Sequence, residues 1–124
     1  MGLNKQEIYI MKVVVCGGRD YHNAALIWRT LDRLHKETPF TDLMQGGARG
    51  ADKHAKEWAA TNPEIKRWVC RAQWDRDGKA AGPIRNSKMV GWKPDLVIAF
   101  PGGKGTDDMV KKALLAGIRV ERVD

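Results

Sequence analysis

Three short strand-like runs in this chain end in paired glycines, and helical periodicity follows each of them. Residues 11–16, Met-Lys-Val-Val-Val-Cys, are rich in β-branched side chains and run into Gly17-Gly18. Residues 41–45 run into Gly46-Gly47, and residues 95–100 into Pro101-Gly102-Gly103. Between them, Ile27, Leu31 and Leu34 share one helical face over residues 23–36, and Ala51, Ala55, Trp58 and Ala59 trace another over 51–59. Met109, Val110, Ala113 and Leu114 form a last face, which Gly117 is placed to cap. A strand over 65–70, a polar loop over 71–82, a short helix from Pro83 to near Gly91 and a strand over 118–123 complete the series. Alternation of this kind predicts an α/β fold: a Rossmann-like three-layer sandwich of about five parallel strands with helices on both faces.

At 124 residues the chain has the size of one domain, expected over residues 11–124 after a lead-in of residues 1–10. Hydrophobic content of 43% beside 30% charged residues suits an ordered globular chain rather than a disordered one. The longest apolar run, Leu96 to Phe100, is far short of the roughly 18 residues of a membrane helix. Residues 1–10 lack the apolar core of a signal peptide, so a cytoplasmic location is expected and no membrane partner. Cys16 and Cys70 lie far apart with no ligand-like spacing, so neither a disulfide nor a metal site is expected, and no cofactor. The net charge of +7 favours acidic ligands.

In a parallel sheet the glycine-rich loops emerge together, outside the carboxyl ends of the strands, where such folds bind ligands. Glycine lets backbone N–H groups come close to a ligand, and the helix that follows turns its positive end toward it. Candidate ligand-binding residues are therefore Gly17, Gly18, Arg19 and Asp20 in the first loop, and Gly46, Gly47, Arg49, Gly50 and Asp52 in the second. Gly82, Pro83, Arg85 and Asn86 belong to the third, and Gly102, Gly103, Lys104, Gly105 and Thr106 to the fourth. Arg19, Arg49 and Arg85 converging on one edge suit a ligand with several phosphates, or a phosphate and a carboxylate. The alternative is that they bridge Asp20 and Asp52 and stiffen the loops. Trp74, in the polar loop, is placed to stack on a base or to pack as a lid. Trp28, Trp58 and Trp68 read as core or interface residues.

Neither GxGxxG after the first strand nor a Walker A loop is present, which disfavours ordinary NAD oxidoreductases and P-loop ATPases. His22, His35 and His54 form no recognisable triad, and no Ser or Cys has an identifiable activating base.

Together, Gly17-Gly18-Arg19-Asp20, the segment from Gly46 to Asp52, Gly82-Pro83-Ile84-Arg85-Asn86 and the segment from Phe100 to Thr106 resemble the YspA/cpYpsA-related branch of the SLOG superfamily. That resemblance implies a Rossmann-like fold and nucleotide or nucleotide-derived ligands, including those of ADP-ribose type. It also implies kinship with the Lonely Guy phosphoribohydrolases and with DNA-processing proteins. The hydrolases place a catalytic glutamate three residues beyond the Gly-Thr pair, where this chain has Met109, which cannot carry a proton as a carboxylate does. Arg85 and Met89 do match the hydrolases' Arg-x-x-x-Met segment. Asp20, Asp52 and Asp108 are the candidate replacements for the missing acid.

Three functions follow as expectations. The first is binding of a nucleotide-type phosphate ligand, ADP-ribose-like. The second is N-glycosidase or phosphoribohydrolase chemistry through one of the three aspartates. The third is binding of single-stranded nucleic acid, with steep salt dependence. A homodimer or higher homo-oligomer is expected from the pairing of related proteins and from exposed tryptophans.

Overall fold

The computed structural model describes residues 8–124, so residues 1–7 of the expected lead-in lie outside the described residues. Five strands, β1 (Lys12–Cys16), β2 (Asp42–Gln45), β3 (Lys66–Val69), β4 (Leu96–Ala99) and β5 (Arg119–Arg122), form one sheet in the order β3-β2-β1-β4-β5. Every neighbouring pair is parallel. Successive strands step outward from β1 to β3, and the chain then crosses back to place β4 on the other side of β1. The crevice between β1 and β4 is thus the point where strand order reverses, the usual ligand position in such sheets.

Period-two alternation divides the apolar residues of the central strands between two cores. Val13, Val15, Leu96 and Ile98 face helices α1 (Ala24–Glu37) and α2 (Ala51–Ala60), where they meet Ile27, Leu31, Ala55 and the fully buried Trp58. Val14 and Val97 face α4 (Ala81–Gly91) and α5 (Lys104–Leu115) and pack with Met44, Met89, Met109 and Ala113. Strands buried on both faces read as continuous apolar runs, which is why β1 and β4 stand out in the sequence. Asn23 caps α1, its side chain accepting a hydrogen bond from the Leu26 N–H at 3.1 Å. Gly117 ends α5 as expected: its N–H and that of Ile118 donate to the Leu114 and Ala113 carbonyls, a Schellman closure.

The structure corrects the sequence in three places. Residues 74–80, expected as loop, form a four-residue helix, α3 (Trp74–Asp77), and a 3-10 turn over Gly78–Ala80. Neither buries a residue, so no apolar periodicity marks them. α4 begins at Ala81, two residues before the expected start at Pro83, which puts Gly82 inside its first turn beside Pro83. Trp68 lies on β3, an edge strand whose four residues are all exposed, and packs beside Trp92 on the surface, so of its two expected places the core is excluded. Among the described residues no helix is long and apolar enough to cross a membrane.

Candidate functional site

A cavity of about 720 Å³ opens at the carboxyl edge of the sheet, over the β1/β4 crevice. Its walls come from all four loops that the sequence singled out: Gly17 to Asp20 after β1, Gly46 and Asp52 after β2, Gly82, Arg85 and Asn86 on α4, and Gly102, Gly103, Gly105 and Thr106 after β4. Trp74 lines it from α3. The loops are tied to one another. The Gly18 N–H donates to the Pro101 carbonyl at 2.8 Å, and the Gly18 carbonyl accepts from the Ala51 N–H at 3.1 Å.

Asp52, in the first turn of α2, is buried and accepts a hydrogen bond from the Ala48 N–H at 3.2 Å. Burial pushes its carboxyl above the ordinary carboxylate range, against the opposing pull of the Ala48 and Gly46 amides and the Arg85 and Arg19 charges. Arg85 donates through Nε to Asn86 Oδ1 at 3.0 Å and through a terminal nitrogen to the Gly46 and Cys70 carbonyls. Its guanidinium therefore joins the ends of β2 and β3 beside Asp52. Asn86 is buried and fully engaged, its amide nitrogen donating to the Gly105 carbonyl and to Asp108 Oδ2, both at 3.0 Å. It locks α4 to the first turn of α5. Arg19 stands over the Trp74 ring, 5.2 Å from its centroid, within cation–π range.

Six of the expected residues stand away from this cavity. Arg49 pairs with Asp20 at 3.1 Å on the surface, and it lines a neighbouring cleft with Gly47. Gly50, Pro83, Lys104 and Asp108 do not line the cavity either. Gly50 caps α2 behind the first loop, and the Pro83 carbonyl accepts from Ser87 and Lys112. Asp108 is held by Lys112 at 2.7 Å and by Asn86; these bonds outweigh its partial burial and keep its carboxyl below the usual range. Met109, at the hydrolase glutamate position, is fully buried beneath the sheet, turned into the core by the register of α5.

The cavity also has walls that the loop reading missed. Cys16, Tyr21, Ala48 and Pro101 line it, as does Met89, which had been noted only for its match to the hydrolase segment. Cys16 is the last residue of β1, and a strand's final side chain at this edge is the signal that could have found it. Burial, and then the Asp52 charge, push its thiol up to about 12, so it is no thiolate nucleophile at neutral pH. Arg71 was missed as well. It stands two residues past β3, at the same edge, and donates to the Gly47 carbonyl at 3.0 Å.

Comparison with known proteins gives two matches. Residues 11–76, from β1 through α3, match the family described as YspA, cpYpsA-related SLOG. Gene 61 protein of Mycobacterium phage D29 is 36% identical over 120 residues, an alignment that takes in 88% of this chain and 93% of that protein. The sheet order, the loop sequences and these two matches agree: the chain belongs to the YspA, cpYpsA-related SLOG family.

Proposed function

We propose that the cavity binds a nucleotide or nucleotide-derived ligand, of ADP-ribose type, with a phosphate at the start of α5. The carrying observation is the freedom around Gly103 and Gly105. A Cβ built on either meets no heavy atom within 4 Å, and neither has a positive φ. Among the described residues no neighbouring element crowds a side chain at either position, whereas a phosphate drawn against the backbone would. The first N–H groups of α5 lack intrahelical acceptors, and Gly103 offers no capping side chain. Arg19 and Arg85 neutralise the ligand's charge, and Trp74 flanks the base. Asp20 and Asp52 hold ribose hydroxyls or orient the arginines.

Gly105→Ala tests this more cleanly than Arg85→Ala, because Arg85 also joins two strand ends. Alanine in a helix is more favourable than glycine by about 0.5–1 kcal/mol, so the variant should melt higher than the parent. Its affinity for AMP or ADP-ribose, read by thermal shift or calorimetry, should fall at least tenfold. In the parent, ligand at 100 times its dissociation constant should stabilise by about 2.7 kcal/mol. Equal affinity in the two proteins removes the phosphate from α5.

Asp52 favours a second reading, cleavage of the N-glycosidic bond. Of the three candidate acids it alone is both buried and on the cavity wall, with a raised pKa. A protonated Asp52 gives its proton to the departing base as the C1′–N bond breaks. Water adds its hydroxyl to C1′ and returns a proton to the carboxylate, so ribose phosphate and free base result. Adenine release from AMP, abolished in Asp52→Asn with binding retained, supports turnover; binding without release leaves a binding domain.

A further inference from the structure

Beside the main cavity lies a second cleft of about 350 Å³, lined by Arg19, Arg49, Arg71 and Arg85 together with Trp74 and the Gly46–Ala48 backbone. The two share Arg19, Gly46, Ala48, Trp74 and Arg85, so they adjoin along those residues. Among the described residues Arg19, Arg71 and Arg85 form no ion pair with any carboxylate. Arg49 has one, with Asp20, and both side chains are exposed, at 65% and 88%. Exposed pairs of that kind contribute about 1 kcal/mol at most, so an incoming anion displaces Asp20 at little cost. Four guanidinium groups around one concave surface whose lining holds no carboxylate suit a phosphate.

The position of this cleft limits what can fill it. Arg71 reaches from the end of β3 back to Gly47 at the end of β2. The start of α5 follows β4, and β1 lies between β4 and β2. Two strand spacings separate the two places, about 10 Å. Adjacent phosphates of a pyrophosphate sit too close together to occupy both. Trp74 lines both cavities, so the group between the two anions lies against an aromatic face.

We propose that Arg49 and Arg71 form a second anion subsite, and that among nucleotide-type ligands the site prefers one with a phosphate on each side of its nucleoside over one, such as ADP-ribose, whose phosphates are adjacent. A free nucleoside 3′,5′-bisphosphate and the end of a nucleic-acid strand share this chemistry. The proposal rests on the reading above, because the first phosphate is the one at α5.

Calorimetry with adenosine 5′-monophosphate, adenosine 3′,5′-bisphosphate and a 5′-phosphorylated trinucleotide separates the outcomes. The parent should bind the bisphosphate at least tenfold more tightly than the monophosphate. Arg49→Gln/Arg71→Gln should lose that advantage while keeping the monophosphate affinity. Arg49→Gln alone, at an exposed position, should lose part of it, and serves if the double variant does not fold. The trinucleotide binding as well as the bisphosphate, with the same loss in the variants, identifies a strand end as the source; weaker binding identifies the free nucleotide. Monophosphate binding with no gain from the bisphosphate, or a gain that survives in the variants, overturns the second subsite alone. No binding of any of the three overturns both the subsite and the nucleotide reading.

Discussion

The loops after β1 and β2 and the start of α5 with the turn before it are all rich in glycine, and they lie at the same sheet edge, yet their glycines answer to different demands. In the first two, glycine is fixed by the protein itself. A Cβ on Gly17 would come within 2.6 Å of the Ala51 Cβ, and one on Gly50 would strike the Gly18 and Arg19 carbonyls. Gly50 also sits at φ 76°, ψ −130°, a conformation closed to side-chain-bearing residues. Gly102 belongs with this group, since its Cβ would lie 2.8 Å from the Gly18 nitrogen and against Thr106. One residue later the constraint ends, and Gly103 and Gly105 stand in open space. Glycines that let loops touch one another are thus separable from glycines that leave room for something outside the chain.

Substitution should split the two groups by sign. Gly50→Ala carries the largest expected effect: steric overlap plus a strained backbone, a loss of roughly 3 kcal/mol or more in chemical denaturation. Gly105→Ala should move stability the other way by the smaller helix-propensity gain while weakening nucleotide binding. If Gly105→Ala also destabilised the fold, the distinction between the two regions would collapse.

The fold was legible because its signals are local and repeated. Val13 to Val15 and Leu96 to Phe100 announce buried parallel strands, and Ile27, Leu31 and Leu34 announce a helix against them. α3 was not legible, since it buries nothing and so leaves no periodicity. For Trp68 the core half of the reading failed for a related reason: a tryptophan's apolar area suggests burial, but β3 is an edge strand and its residues face water. At the candidate site, sequence position gave the four loops, whereas which side chains share a cavity depended on helix register. That register turns Met109 inward and ties Asp108 to Lys112, and it leaves Asp52 as the buried acid. Arg71 lies two residues beyond the end of β3 and outside any glycine motif, so no local pattern marked it.

The two aspartates of the cavity extend the comparison to floor and rim. Asp52, on the floor, has a pKa raised by burial, so between the ordinary carboxylate value near 4 and its raised value the folded chain holds a proton that the unfolded chain has released. Its contribution to stability therefore falls as pH rises through that window. Asp52→Asn removes the ionised form and should melt above the parent at pH 7, with the gap closing as pH drops below about 4. A gap that does not depend on pH means that the carboxylate is not paying a burial cost in the folded state.

Asp20, on the rim, should give the smallest change in stability, within about 0.5 kcal/mol for Asp20→Asn, because its one ion pair among the described residues is exposed. Its effect on ligand binding is the informative quantity. As a counter-ion, Asp20 shields Arg49 and opposes an incoming phosphate, so Asp20→Asn should tighten binding of adenosine 3′,5′-bisphosphate about two- to threefold at low salt, and less as salt screens the charge. As a partner of ribose hydroxyls it would do the reverse: the variant would bind the monophosphate and the bisphosphate more weakly by the same factor. The exposed geometry of the Arg49 pair favours the first outcome, and measuring both ligands against both salt concentrations decides between a rim that guards the cavity and one that grips what enters it.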